Sequence, residues 1–152
     1  MNTNGEESVH QMHTELIVTH VDDMPWVPAE RFGLPEGCEY RILKDDTGDG
    51  EMALMARFPA GYLEPRHQHE VEHWGIVVEG EMHVDGHILK RGDFHHAPAN
   101  EPHGPFYYPK GCIVFGTARA SHTGASILHV YKAEDAEIAP SEVEVREDAA
   151  GG

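Results

Sequence analysis

The sequence predicts an all-β fold. Short apolar runs recur between residues 15 and 132, and a turn signal rich in Gly, Asp or Pro follows most of them. This spacing is typical of a sandwich or a barrel. The pair Asp85-Gly86 separates EMHV from HILK and indicates a two-residue hairpin turn. No segment keeps helical periodicity over three turns, so we expect one all-β domain.

The predicted strands alternate with polar connections along the chain. In order they are ELIVTHV, CEYRILK, EMALMARF, HWGIVVEG, EMHV, HILK, GDFHHAP, GCIVFGT and ASILHVYK. Residues 1–14 are polar, and residues 133–152 are acidic with few large apolar side chains. We expect both ends to be mobile. The predicted domain therefore spans residues 15–132.

The composition narrows the class of protein. The chain has 152 residues, 39% apolar and 25% charged, which fits one globular domain. Eleven basic residues against 27 acidic ones give a net charge of -16, which disfavours nucleic acid as a partner. Cys38 and Cys112 are too few for a disulfide framework and form no CxxC pair, so we expect buried, reduced thiols. There is no export signal and no apolar run of about 20 residues, so we expect a cytoplasmic protein without a membrane partner.

Histidine is the unusual component of this sequence. Of 13 histidines, eight fall between residues 67 and 103: His67, His69, His73, His83, His87, His95, His96 and His103. In an extended strand His67 and His69 point to one side, so two imidazoles can converge. His73 follows a short bend and opens the next strand, and His103 follows the turn PANEP. Because histidine is the commonest metal ligand, this clustering indicates a site.

Two spaced motifs contain these histidines. The first is G-x5-H-x-H followed by a distant glycine, and the second is G-x5-P with a histidine five residues later; they are formed by Gly61, His67, His69, Gly80, Gly92, Pro98 and His103. The stretch from Gly61 to Tyr107 thereby resembles the cupin superfamily. The resemblance implies a small jelly-roll-like β-barrel with a metal ion inside, bound by His67, His69, His73 and His103.

The chain departs from the cupin pattern at three positions. His73 stands where the family's glutamate usually stands, Asn100 replaces a glycine, and Tyr107 occupies an asparagine position. Four neutral imidazoles leave the +2 charge of a divalent ion uncompensated, which favours an anionic or enolisable oxygen ligand. Imidazole suits several transition metals, so we expect one divalent ion per chain, with Fe(II) favoured and Mn, Ni, Zn or Cu as alternatives.

Six further residues are candidates for catalysis or substrate binding beside the metal ion. Tyr107 lies four residues after His103, an even spacing that puts both side chains on one face of a strand. It is a candidate proton donor or an ordinary packed tyrosine. One of the adjacent pair His95 and His96 should face inward, and strand parity alone does not say which. The catalytic candidates are Tyr107 and His96, and the substrate-binding candidates are Trp74, Phe58, Phe94 and His95.

Three functions are compatible with these residues. The segment from Tyr40 to Gly104 is similar to small cupins that cleave carbon–carbon bonds next to a ketone, which implies a dioxygenase acting on a small diketone or hydroxyketone. A redox-neutral cyclase, isomerase or lyase would use the metal only to polarise a carbonyl. A non-catalytic cupin would bind a metal or a small molecule. The apolar strand ELIVTHV would be exposed as an open edge, so we also expect a homodimer.

Overall fold

The structure, a computed structural model, describes residues 15–34, 36–120 and 130–132. The strands of these ranges are β1 Val27–Pro28, β2 Glu39–Lys44, β3 Glu51–Phe58, β4 Tyr62–Glu64, β5 His67–His69, β6 Glu72–Val84, β7 His87–Lys90, β8 Phe94–Ala97, β9 Phe106–Tyr108, β10 Cys112–Arg119 and β11 Val130–Lys132. Two short 3₁₀ helices, Val21–Asp23 and Ala29–Phe32, lie before β2. The prediction of an all-β cupin-like barrel is confirmed.

One antiparallel sheet carries most of the strands and curls around a cavity. Its order is β1-β2-β3-β10-β6-β9-β4, and β7 and β8 also pair with β6. Strand β5 pairs with β11 in a second, two-stranded sheet. Neighbours far apart in sequence, such as β3 with β10, bring the two ends of the domain together. The residues of the two motifs are thereby gathered from β5, β6 and the connections between strands.

The long strand β6 bends at Gly80. Its first half pairs with β10 and β8, and its second half pairs with β7 and β9. The register with β10 shifts between Ile113 and Val114, and Gly80 has φ +83°. The inward residues change from odd to even numbers across this point, from Val77 to Met82, as expected for an inserted bulge residue. This bend turns the sheet into part of a barrel.

The turns follow the sequence expectations. Val84 pairs with His87 across Asp85 and Gly86, which have φ +49° and +80°, so the hairpin turn has both central residues left-handed. Asn100, which replaces the glycine of the second motif, has φ +60°. Asparagine tolerates this conformation better than most residues do. The fold thus keeps the backbone shape that the motif's glycine would supply.

The core lies on the inner face of the barrel. Strands β3, β6, β9 and β10 contribute its largest members, and Tyr108 is 1% exposed and stacks on Phe58 with ring centroids 4.1 Å apart. Cys38 and Cys112 are buried, free thiols, as expected. Burial raises the pKa of Cys38 to about 11 and that of Cys112 to about 12, so neither is a ready thiolate at neutral pH.

One predicted strand is wrong. Residues 15–20 of ELIVTHV form no regular structure, and Val21 opens a 3₁₀ helix. Leu16 and Ile17 are 88% and 90% exposed, because no face of the described sheet covers them. Strand preference reflects packing against neighbours more than an intrinsic backbone tendency, and an apolar run without such neighbours does not pair.

The predicted strand ASILHVYK is only partly described. Its last three residues are β11, and residues 121–129 lie outside the described ranges. The expected mobile ends, residues 1–14 and 133–152, also lie outside them. Within the described residues, no helix combines the length and the apolar character needed to cross a membrane.

Candidate metal centre

Two histidines from distant parts of the chain are joined by a β-bridge. The backbone N–H of His67 donates to the carbonyl of His103 at 3.0 Å, and the N–H of His103 donates to the carbonyl of His67 at 2.8 Å. The N–H of Asn100 donates to the carbonyl of His69 at 2.7 Å. The left-handed turn at Asn100 therefore docks the second motif against the first and sets two imidazoles side by side.

Backbone carbonyls fix the orientation of both rings. Nδ1 of His67 lies 2.7 Å from the carbonyl oxygen of Pro65, and Nδ1 of His103 lies 3.0 Å from that of Glu101. A carbonyl only accepts, so each Nδ1 carries a hydrogen and donates it. In a neutral ring the other nitrogen, Nε2, then offers a lone pair. A backbone acceptor on one nitrogen is the usual way to orient a metal-binding histidine.

The two Nε2 atoms face each other across 3.1 Å. Two lone pairs at this distance repel unless a cation lies near both. Metal–imidazole bonds are about 2.0–2.1 Å long, so two nitrogens on one ion lie roughly 3.0–3.4 Å apart. Burial and the neighbouring His67 lower the pKa of His103 to about 4, which keeps its lone pair available at neutral pH. The donor set therefore fits a metal ion.

His69 completes a group of three. Its ring centroid is 4.9 Å from that of His67 and 5.3 Å from that of His103. Ligand atoms of all three residues lie within 4.8 Å of one another. His67 and His69 share a face of β5 and both line the cavity, as their spacing predicts. These three side chains can hold one metal ion.

His73 lies beside this group but outside it. Its ring centroid is 4.6 Å from that of His69 and 5.2 Å from that of His103. Burial, and then the neighbouring His69 and His103, lower the pKa of His73 to about 2. The ring is thus a neutral imidazole that reaches the cavity from the start of β6. Its role as a fourth ligand stays a prediction.

The structure decides between His95 and His96. His95 lines the cavity, its ring centroid is 6.2 Å from that of His73, and burial lowers its pKa. It packs so closely on Gly75 of β6 that a Cβ there would collide with its ring. His96 faces the opposite side of the sheet, where Nε2 lies 2.6 Å from a carboxylate oxygen of Glu72. The catalytic candidate His96 is thus misplaced by the sequence reasoning, because a register of one residue separates the two faces.

Two aromatic candidates also face away from the cavity. Phe94 is 59% exposed on the same outer face as His96. Tyr107 pairs with His83 and meets its ring edge-on at 5.9 Å, outside the cavity lining. Tyr107 does not face the same way as His103, because His103 is an isolated bridge residue and β9 begins only at Phe106. The residues between them are not extended strand, so the side chains of Phe106 and Tyr108 face the cavity instead.

The other two aromatic candidates differ from each other. Phe58 is 8% exposed and lines the cavity. Trp74 also borders the cavity, but its indole stacks on His96 with ring centroids 5.6 Å apart. Strand alternation places the side chain of Trp74 opposite that of His73. Phe58 is therefore the better placed of the two for contact with a bound molecule.

The cavity beside the histidines has a volume of about 180 Å³ and mostly apolar walls. Its apolar lining includes Leu34, Leu54, Phe58, Val71, Met82, Phe106 and Val114. Two polar residues that the sequence reasoning missed, Glu64 and Tyr108, also line it. The Tyr108 hydroxyl donates to Glu64 Oε2 at 2.9 Å. A carboxylate three residues before the first histidine of the candidate metal centre, in the strand YLE, was the available signal for Glu64.

The family is defined by a sequence match. A family model described as the ChrR cupin-like domain matches residues 14–122. The match spans most of the chain and contains all four of the predicted metal-binding histidines. The chain belongs to the ChrR cupin-like domain family, within the cupin superfamily. A search of curated protein sequences found no match.

Solved structures share the fold. An RmlC-like cupin from Shewanella frigidimarina is 25% identical, with a TM-score of 0.57 over 72% of this chain and 94% of that chain. An acetylacetone dioxygenase from Acinetobacter johnsonii is 16% identical, with a TM-score of 0.57 over 78% of this chain and 86% of that chain. Rhodobacter sphaeroides SigE in complex with the anti-sigma ChrR matches at 20% identity and a TM-score of 0.51, over 64% of this chain and 49% of that chain. These likenesses establish the cupin fold.

Proposed function

We propose that this protein is a metal-dependent dioxygenase acting on a small enolisable ketone, either a diketone or a hydroxyketone. The observation that carries the proposal is the opposed pair of Nε2 atoms of His67 and His103, 3.1 Å apart and each fixed by a backbone acceptor on Nδ1. His69 is the third ligand, and we propose His73 as the fourth. A bound divalent ion would polarise the substrate oxygen, and iron(II) would in addition allow the use of O₂.

The protein's own residues supply binding and water exclusion. The apolar lining of the cavity suits the carbon skeleton of a small ketone, because its burial releases water from apolar surface. His95 reaches the cavity as a neutral imidazole whose buried Nδ1 has no hydrogen-bond partner among the described residues. A neutral imidazole can donate one hydrogen bond and accept another. His95 is thus our candidate for orienting the substrate.

A redox-neutral cyclase, isomerase or lyase is the second candidate. Glu64 and Tyr108 favour it, because a hydrogen-bonded carboxylate and phenol in the cavity can move a proton without an oxidant. In this reaction the carbonyl would be polarised and a neighbouring carbon deprotonated. The dioxygenase instead consumes O₂ as the oxidant, and both oxygen atoms enter the products. Oxygen uptake therefore separates the two.

Metal analysis tests the site first. We expect His67→Ala, His69→Ala and His103→Ala each to lower the metal content of untagged protein strongly, because each loses one nitrogen from a preorganised group. His87→Ala is the matched control, because His87 is exposed at the start of β7. Full metal occupancy in all three variants at the same pH would contradict the site.

Substrate screening tests the reaction. Iron, together with oxygen uptake that depends on acetylacetone or 2-hydroxyacetophenone, is the expected result. Zinc or nickel with turnover but no uptake would favour the redox-neutral candidate. A tightly held metal with no turnover of any ketone would contradict both and leave a metal-binding module.

A further inference from the structure

Glu64 is held rigidly at the edge of the candidate metal centre. It lies at the end of β4, where it pairs with Phe106 of β9. Tyr108 donates its hydroxyl hydrogen to Glu64 Oε2 at 2.9 Å. The phenol ring is 1% exposed and stacks on Phe58, so this donor has little freedom to move. Burial, together with the nearby Glu64 charge, raises the pKa of Tyr108, so the phenol stays protonated and continues to donate.

The second oxygen of Glu64 is turned toward the metal-binding histidines. Oε1 lies 3.5 Å from Nε2 of His67. Nδ1 of His67 donates to the Pro65 carbonyl, so in the neutral ring Nε2 offers a lone pair and cannot donate to the carboxylate. Oε1 is therefore a hydrogen-bond acceptor 3.5 Å from the nitrogen with which His67 would bind a metal ion. A small molecule bound to that ion would lie close to this oxygen.

This placement distinguishes two kinds of ligand. A hydroxyl next to the oxygen that binds the metal can donate to Oε1, and a hydrogen bond to a charged acceptor is stronger than one between neutral groups. A deprotonated β-diketone has only acceptor oxygens and a negative charge, so it would face the carboxylate with like charge. Most of the cavity wall is apolar, and an apolar wall screens such a repulsion less than water does.

We propose that Glu64 is a specificity-determining residue that selects ligands with a hydroxyl group beside their metal-binding carbonyl, and so prefers hydroxyketones to β-diketones. The proposal rests on the proposed function, because it requires a metal ion at the histidines. It narrows the substrate class of that site. Tyr108 is a positioning residue, since it acts on the ligand only through Glu64.

The test compares two small probes on the cobalt(II)-loaded protein without oxygen. Hydroxyacetone carries the hydroxyl donor and acetylacetone lacks it, and each is titrated while the cobalt absorption spectrum reports binding. The measured quantity is the dissociation constant for acetylacetone divided by that for hydroxyacetone. We expect Glu64→Gln to lower this ratio by about tenfold or more, because it removes the charge and a charge-assisted hydrogen bond.

Two further variants sharpen the comparison. Glu79→Gln makes the same chemical change on an exposed residue of β6 outside this cavity, so its ratio should equal that of the wild type. Tyr108→Phe keeps the charge of Glu64 but frees its carboxylate, so the ratio should fall by less than in Glu64→Gln. If Glu64→Gln does not fold, the fall in Tyr108→Phe decides, and an unchanged ratio there overturns the proposal.

The outcomes separate this proposal from the proposed function. Normal cobalt content in Glu64→Gln with an unchanged ratio overturns the selection by Glu64 and leaves the metal centre intact. Loss of cobalt from Glu64→Gln also overturns it, since Glu64 would then be a metal ligand. A wild-type protein that binds no cobalt overturns the proposed function itself.

Discussion

The burial of His73 makes acid sensitivity a direct consequence of the site. The pKa of this imidazole falls from an ordinary 6.5 to about 2 in the folded protein, first because of burial and then because of His69 and His103. Below pH 6.5 the unfolded chain binds a proton at this position and the folded chain does not. The contribution of His73 to the free energy of unfolding is therefore fully present above pH 6.5 and is lost as the pH drops toward 2.

The size of the effect follows from this difference. One pKa unit corresponds to about 1.4 kcal/mol, so between pH 8 and pH 5 the contribution of His73 to the free energy of unfolding falls by about 2 kcal/mol. The assay is urea unfolding of the metal-free protein at pH 8, 6.5 and 5. Chelation of metal beforehand is required, because a bound ion would itself hold the imidazole neutral.

Variants identify the responsible residue. His73→Gln removes the titrating group, so its stability should fall by about 2 kcal/mol less than that of the wild type over the same pH range. His87→Gln is the matched control, because His87 is exposed on β7, and it should retain the wild-type pH dependence. An unchanged pH dependence in His73→Gln would refute the reasoning that links burial of this ring to acid sensitivity.

Three other outcomes are expected. His73→Glu should retain metal, because a carboxylate also binds Fe, Mn or Zn, and should lower turnover by reducing the charge at the metal; full activity with an unshifted pH–rate profile would argue that this imidazole is merely tolerated. Gly80→Ala should destabilise by at least about 2 kcal/mol in urea unfolding, because φ is +83° and a Cβ would collide with the Gly111 carbonyl. The exposed side chains of Leu16 and Ile17 favour association, and light scattering should show a homodimer, whereas a monomer at all concentrations would count against one.

Glu64 changes the net charge that the sequence predicts for the candidate metal centre. If His73 is the fourth ligand, as we propose, four neutral imidazoles would leave the full charge of a divalent ion uncompensated. The carboxylate of Glu64, at the end of β4, lies 3.5 Å from Nε2 of His67. Part of the missing negative charge is thus present beside the centre, supplied by a different strand.

Local sequence determined the fold class of this protein and the histidines of its candidate metal centre. Alternating apolar runs and glycine-containing turns fix strands over a few residues, and the Asp85-Gly86 hairpin forms as its sequence requires. The spacing of His67 and His69 places both on one face, because side chains alternate along any extended strand. These features depend on neighbours in sequence, and so they can be read from it.

Only the tertiary structure decided which face each other residue occupies. His95 rather than His96 faces the cavity, and Tyr108 rather than Tyr107 reaches it, because pairing across β6 sets the register and an irregular connection after His103 resets the parity. Glu64 meets His67 only because β4 and β9 pair and Tyr108 holds the carboxylate. Contacts between strands that are distant in sequence depend on the closed sheet, and local pattern carries no record of them.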